Sequence, residues 1–284
     1  MEWSLREVRV FVIAADAGSF TDAAARLFIS QAAVSRTIAN LERGLGVQLL
    51  RRIPTGCVPT VAGQQLLPAA RRMIAEADRF TEFARSRRPV LRLGYAWAAL
   101  GVHTARLQRE WARAFPEIDL ELLRLAELDE GLASGECDAV ISRRSLDVRR
   151  FTTTVIGREE RRVAIAADDE EWGRRRALKL DEIASRVVAI DERYGTTDAG
   201  LFDGHGTPAL APTRNVDEWL DLIAAGRAVG ITADATSHHH QRDGVRFLRI
   251  ADAVGVSVLI GWRQGDPPAG LDHLIDLARR LYAP

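Results

Sequence analysis

Two short amphipathic helical patterns between Ser19 and Gly46 are separated by only two connecting residues, Phe28 and Ile29. So short a joint makes the helices cross steeply and share a core with a third. Upstream, Leu5, Val8, Val12 and Ala15 recur at helical spacing, and Gly18 supplies a C-terminal stop. Ser19 or Thr21 can cap the second helix, where Ala23, Ala24 and Leu27 let a crossing helix approach closely. Ser30 caps the third, in which Val34, Ile38, Leu41 and Leu45 form the apolar stripe. A three-helix core is therefore expected at the start of the chain.

Measured around the third helix from Val34, residues Ala32, Ser35, Arg36, Ala39 and Arg43 fall at about 100–200°, away from that stripe. Gln31 lies at the edge of this face. A face that is small, hydrogen-bonding and next to a helix N-terminus suits entry into the major groove of DNA. A solvated helix face is the plain reading of any one such residue; the combination favours recognition. Charge distribution agrees: residues 1–88 hold 13 arginines against 8 acidic residues, whereas the whole chain is neutral. Lys179 is its one lysine, a bias assigned to genome composition. After the third helix, Arg51 and Arg52 lead into IPTGCVPT, whose turn-forming residues predict a short β-wing, with Arg52 the better phosphate ligand.

Residues 3–63 resemble the winged helix-turn-helix of LysR-type transcriptional regulators. The matching residues are Gly18-Ser19-Phe20-Thr21 with Ala23-Ala24, Ser30 through Arg36, Leu41-Glu42, Leu45-Gly46, Leu49, Arg52, Thr60 and Ala62-Gly63. The resemblance implies a homo-oligomeric DNA-binding regulator controlled by a small molecule, with Thr21, Ser30, Gln31, Ala32, Ser35, Arg36 and Arg52 facing DNA. Ala32 stands where the family has proline, which removes a rigid first-turn residue and a thymine-methyl contact. Pro54-Thr55-Gly56 replaces a basic wing tip and weakens the wing's hold on phosphate.

Leu66, Ala70, Met73, Ala77, Phe80 and Ala84 are spaced 4, 3, 4, 3 and 4, a heptad seam too narrow for a buried core helix. The same helix of a second subunit is the simplest partner, with packing on the chain's own domain as the alternative. The resemblance makes this a linker helix and implies dimers or tetramers. Two recognition helices on a twofold axis would read a roughly palindromic site. Arg85 through Pro89, including Arg87, should end the helix and open a hinge.

From residue 90 short apolar runs alternate with helical stretches, which predicts an α/β domain with mostly parallel sheets. Strands are expected at Val90–Ala96, Ile118–Leu125 and Ala139–Ser142, and helices at Thr104–Phe115 and Glu127–Gly135. A second set should begin near Val155 and include Val187–Ile190 and Val229–Thr232. The run Val256–Trp262 and a final helix Leu271–Tyr282 close the chain. The resemblance implies two lobes similar to type 2 periplasmic binding proteins, with the effector between them. The expected organisation is 1–60 winged helix-turn-helix, 61–88 linker helix and hinge, and 89–284 regulatory domain.

Ligands of open α/β sheets sit beyond strand carboxyl ends. That rule selects Trp97 and Ala98 after the first strand, Glu127 after the second, and Ser142 and Arg143 after the third. Thr196, Thr197 and Thr232 would face them. Ala98 stands where the family often has a hydroxyl, so an acid would rely on main-chain amides and Arg143, with Glu127 opposing it.

No metal site is expected: His238-His239-His240 cannot all converge on one ion, and an exposed loop is the simpler reading. No phosphate loop, nucleophile elbow or dinucleotide fingerprint supports an enzyme or a cofactor. Cys57 and Cys137 argue against a disulfide framework, and a redox switch is the minor alternative. A small-molecule binding module whose N-terminal helices only mediate assembly is the other reading. No apolar run is long enough to cross a bilayer and no leader precedes the first helix, so a cytoplasmic protein is expected, with RNA polymerase a further partner.

Overall fold

Each N-terminal helix begins on a hydroxyl that satisfies its first amides. In the computed structural model, which describes residues 3–86, 88–193 and 195–283, α1 (Leu5–Ala17) starts at a capping box. The Ser4 hydroxyl accepts from Glu7 N at 3.4 Å, and the Glu7 carboxylate accepts from Ser4 N at 2.7 Å. Gly18 ends the helix at φ 65°. For α2 (Phe20–Leu27), Ser19 Oγ accepts from Thr21 N at 3.2 Å. Ser30 Oγ does the same for Ala33 N, also at 3.2 Å, at the start of α3 (Gln31–Leu45).

Phe11, Ala14, Ala23, Val34, Ile38 and Leu41 bury the faces of these three helices against one another. Leu45, expected in that stripe, is 37% exposed. The Glu42 carboxylate accepts from Leu49 N at 2.8 Å and Leu50 N at 3.1 Å, so the chain turns and Leu49 and Leu50 close the core instead.

β1 (Leu50–Ile53) and β2 (Gly56–Pro59) form the antiparallel wing. Cys57 N donates to Gly18 O at 2.7 Å, pinning the wing to the α1–α2 junction. Gly56 is required there: a Cβ would lie 2.1 Å from Gly18 O, and φ is 145°.

The long helix α4 (Val61–Ser86) carries Pro68 within it. Leu67, Ala70 and Ile74 face the three-helix core, and Ala70 is buried in it. The predicted seam therefore splits. Ala70 packs on its own chain, whereas Leu66, Met73 and Phe80 are exposed at 39%, 40% and 78%. Two ion pairs with α1 hold this arrangement, Arg9–Asp78 at 2.7 Å and Arg71–Asp16 at 2.5 Å. Arg87 of the expected hinge lies outside the described residues.

The chain divides into two compact units, one running through Pro89 and taking in Asp129–Cys137, the other comprising Val90–Leu128 and the residues from Asp138 onward. Within the first, Arg71 also pairs with Glu130, Arg72 donates to Ala133 O at 2.7 Å, and Arg79 donates to Gly135 O at 2.8 Å.

The second unit has two sheets. Its elements begin with β3 (Val90–Tyr95), α5 (Thr104–Ala114), β4 (Asp119–Arg124), β5 (Ala139–Ser142) and β6 (Phe151–Glu159), while α6 (Leu128–Ser134), between β4 and β5 in the chain, belongs from Asp129 onward to the first unit. They continue with β7 (Arg161–Ala166), β8 (Ala177–Leu178), α7 (Leu180–Ala184), β9 (Val188–Asp191), β10 (Leu210–Thr213) and α8 (Val216–Ala224). The last are β11 (Val229–Ala233), α9 (Asp234–His239), β12 (Val245–Ile250), β13 (Val256–Arg263) and α10 (Leu271–Tyr282).

One lobe has sheet order β4-β3-β5-β13-β6 and the other β10-β9-β11-β7-β12-β8. The strand after each crossing, β7 or β13, runs antiparallel to both neighbours, while the remaining strands of each sheet share one direction, so the sheets are mostly parallel with one reversed strand apiece. Val155, expected to open the second set, lies in β6 and pairs with β13 of the first sheet; the second begins only at β7. Leu93, Leu107, Trp111, Ile260 and Leu274 anchor one core, and Val163, Trp172, Ile183, Phe202 and Ile231 the other.

Candidate nucleic-acid interface and ligand cavity

At the start of α3, Gln31, Ala32 and Arg36 are exposed, and Thr21 on α2 is exposed too. Ser35 is half-buried because Arg52 reaches from β1 and donates from Nη2 to its hydroxyl at 2.8 Å. The same guanidinium lies 5.0 Å from the centre of the Phe20 ring. Wing and recognition helix thus share one positively charged edge, a link between residues 17 apart that spacing alone did not signal. Ser30 Oγ is engaged as a cap, which leaves its reach toward DNA secondary to its role in α3. Cys57 is buried, and burial pushes its thiol pKa up despite the opposing charge of Arg52, so little thiolate forms. Cys137 is buried as well.

In the second unit, a partly open cavity lies among Trp97, Ala98, Ser142, Arg143, Thr196, Thr197 and Thr232. Most of the predicted cleft residues are thereby brought together. Glu127 is not: it is exposed and pairs with Arg193 at 2.7 Å, held away by that ion pair. The acid on the wall is Asp191, at the carboxyl end of β9, which is 2% exposed. Its carboxylate accepts from Trp97 Nε1 at 3.2 Å and from Arg193 N at 2.8 Å. Trp219 also lines the cavity; its ring meets Trp97 edge-on at 5.4 Å, and its Nε1 donates to Ala189 O at 3.0 Å. Gly230 permits this, since a Cβ there would stand 2.2 Å from the indole.

Arg143 is already bound within the protein. It donates to both oxygens of Glu159 at 2.9 and 2.7 Å, to Ala98 O at 2.8 Å and to Ala99 O at 2.9 Å. Tyr282 OH donates to the same carboxylate at 2.6 Å, and Ala235 N approaches it at 3.3 Å. Burial alone would lower the Arg143 pKa, but the charge and hydrogen bonds of Glu159 raise it above its ordinary value. Burial, reinforced by Glu159, also raises the Tyr282 phenol, which keeps its proton. Glu159 closes β6 where the chain crosses lobes, so one buried carboxylate joins β6, α9, α10 and the residue that follows β5.

His238 and His239 end α9 rather than lying in a loop, and His240 Nε2 meets Trp97 O at 2.7 Å. A helix turn directs the three rings differently, and they form no shared ligand set. Among the described residues, Asp181, His205 and Asp252 do converge, their ligand atoms lying within 4.8 Å of one another. Their bonds are internal: His205 pairs with Asp181, and Asp252 caps Leu180 N at 3.0 Å. No helix among the described residues is long and apolar enough to cross a membrane.

Residues 5–64 match the bacterial regulatory helix-turn-helix protein, lysR family, and residues 84–283 match the LysR substrate binding domain. The HTH-type transcriptional regulator BenM of Acinetobacter baylyi is 25% identical, over 98% of this chain and 96% of that protein. The regulator IlvR of Caulobacter vibrioides is 26% identical, over 96% of each chain. Crystallised CbnR, a LysR family transcriptional regulator, shares the fold at TM-score 0.76 and 24% identity, covering 99% of this chain and 100% of CbnR. Full-length CbnR complexed with its target DNA matches at TM-score 0.72 and 25% identity, covering 98% and 99%.

Proposed function

This chain belongs to the LysR family of bacterial helix-turn-helix transcriptional regulators, and we propose which of its residues carry that work. Gln31, Ala32, Ser35 and Arg36 read base edges in the major groove, while Thr21, Ser30 and Arg52 hold the phosphate backbone. The observation that supports this most is the exposed Gln31–Ala32–Arg36 face beside an N-terminal cap, with Arg52 bonded to Ser35 along its edge. Ala32 contributes by being small.

Leu66, Met73, Ala77 and Phe80 form the self-association face of α4, for which the exposure of Leu66, Met73 and Phe80 is the support. A twofold pair of recognition helices then meets half-sites about 34–36 Å apart on a roughly palindromic promoter sequence. The cavity between the lobes, lined by Trp97, Ala98, Ser142, Arg143, Thr196, Thr197 and Thr232, receives the small-molecule effector. An effector acts only through different affinity for two lobe arrangements, and the arrangement it favours alters the spacing of the recognition helices and contact with RNA polymerase. The protein works in the cytoplasm and is not an enzyme.

Nuclease footprinting of the full chain on the DNA upstream of its own coding sequence tests this reading. Two protected half-sites about one helical turn apart are expected. Uniform cleavage at protein concentrations that saturate any duplex would refute it.

A further inference from the structure

Several donors in the wall of the effector cavity are already engaged within the protein, whereas the Thr196 hydroxyl, which accepts from Arg161 Nη1 at 3.1 Å, keeps its proton for a ligand. Four N–H groups of Arg143 are engaged by Glu159, Ala98 and Ala99, so its fork is already filled by a carboxylate of the protein. The Ser142 hydroxyl donates its proton to Arg144 O at 2.8 Å, and the Thr197 hydroxyl donates its own to Ile231 O at 2.9 Å. A hydroxyl whose proton is engaged presents only lone pairs to a ligand. Arg144, exposed, donates to the carbonyls of Glu192 and Arg193, the latter at 2.6 Å.

Against these stands Asp191, the one acidic residue among the described lining residues, with two indoles in the same wall. Carboxylate, hydroxyl lone pairs and aromatic rings together are the environment of a cation. We infer that the cavity takes a small molecule bearing a protonated amine, held by Asp191 and flanked by Trp97 and Trp219. This rests on the reading of the cavity as the effector site and assigns the class of its ligand. Trp97 belongs to the loop after β3 and Asp191 to β9, so their 3.2 Å bond spans the two lobes. An amine that engages the Asp191 carboxylate acts directly on that bond.

The test uses the full-length protein and two matched sets of probes: butylamine, norvaline and pentanoate; tyramine, tyrosine and 3-(4-hydroxyphenyl)propionate. Each set carries an amine, an amine with a carboxylate, or a carboxylate alone, which separates simple amines from amino acids. Thermal stabilisation near pH 7 is read for each, followed by titration calorimetry. The expected result is stabilisation by amine-bearing probes of at least one set, with affinity falling about tenfold or more in Asp191→Asn. If that variant does not fold, Trp97→Phe, which removes the indole donor and part of the aromatic wall, is expected to weaken the same probes.

Stabilisation by the carboxylates alone, by none of the six, or by amines to the same extent in both variants would overturn the assignment. A carboxylate effect abolished by Trp97→Phe would leave the cavity as the effector site and remove only the ligand class. Stabilisation by a probe that is indifferent to both variants would remove the site itself.

Discussion

Arg52 on the first wing strand donates to the hydroxyl of Ser35 on the recognition helix at 2.8 Å, so a phosphate-binding candidate and a base-reading candidate are one hydrogen-bonded pair. In the linear sequence they suggest separate tasks, with Arg52 setting general affinity and Ser35 setting site preference. The bond couples them.

Ser35→Ala and Arg52→Ala are therefore expected to be non-additive in DNA binding. A double-mutant cycle by fluorescence anisotropy should give a coupling of at least about 0.5 kcal/mol. Ser35→Ala should also reduce the salt dependence, because the released guanidinium no longer holds its position against phosphate. Strict additivity with an unchanged salt slope would show that the bond plays no part on DNA.

Glu159→Gln should destabilise the second unit by about 3–5 kcal/mol in urea unfolding, because it leaves Arg143 as an uncompensated buried charge. Arg143→Met combined with Glu159→Leu should cost less than Glu159→Leu alone. Equal losses would mean that solvent reaches the pair.

Arg186 hydrogen-bonds Asp169 and holds its carboxyl below the ordinary aspartate range, while its guanidinium lies 3.6 Å over the Trp172 ring. A lowered folded-state pKa contributes stability that is complete above the ordinary value and is lost as pH falls through the folded value. Asp169→Asn should thus cost about 1–2 kcal/mol at neutral pH. Wild-type and variant stabilities should converge in acid, and a gap that widens below the ordinary aspartate range would contradict the sign.

Phe80→Glu should weaken self-association measured by sedimentation while changing monomer stability by no more than about 0.5 kcal/mol, since the ring is 78% exposed. An unchanged sedimentation profile would move the subunit contact elsewhere.

The helix-turn-helix was legible because its signals are local: caps two or three residues from the amides they satisfy, a glycine stop, and one apolar stripe per helix. The α4 seam was only half legible. Heptad spacing marks a narrow apolar line but cannot say which neighbour covers each position, and the chain's own core takes Ala70. In the cavity, the rule that ligands lie beyond strand ends located Trp97, Ser142 and the threonines. The same rule applies to Asp191 at the end of β9, which the sequence marks as clearly as it marks the threonines that follow. Glu159 carried no usable signal, since Arg143 and Tyr282 are 16 and 123 residues away and only the folded crossing brings them together.

The open face at the start of α3 is tested most directly by binding of the full chain to its own upstream DNA and to a random duplex, from about 50 to 200 mM salt. Wild-type protein should prefer the upstream DNA throughout, with affinity falling steeply as salt rises. Gln31→Ala with Arg36→Ala should lose about 1–3 kcal/mol of that preference per residue while retaining salt-sensitive binding to both duplexes. Full preference in the double variant would contradict recognition by this face.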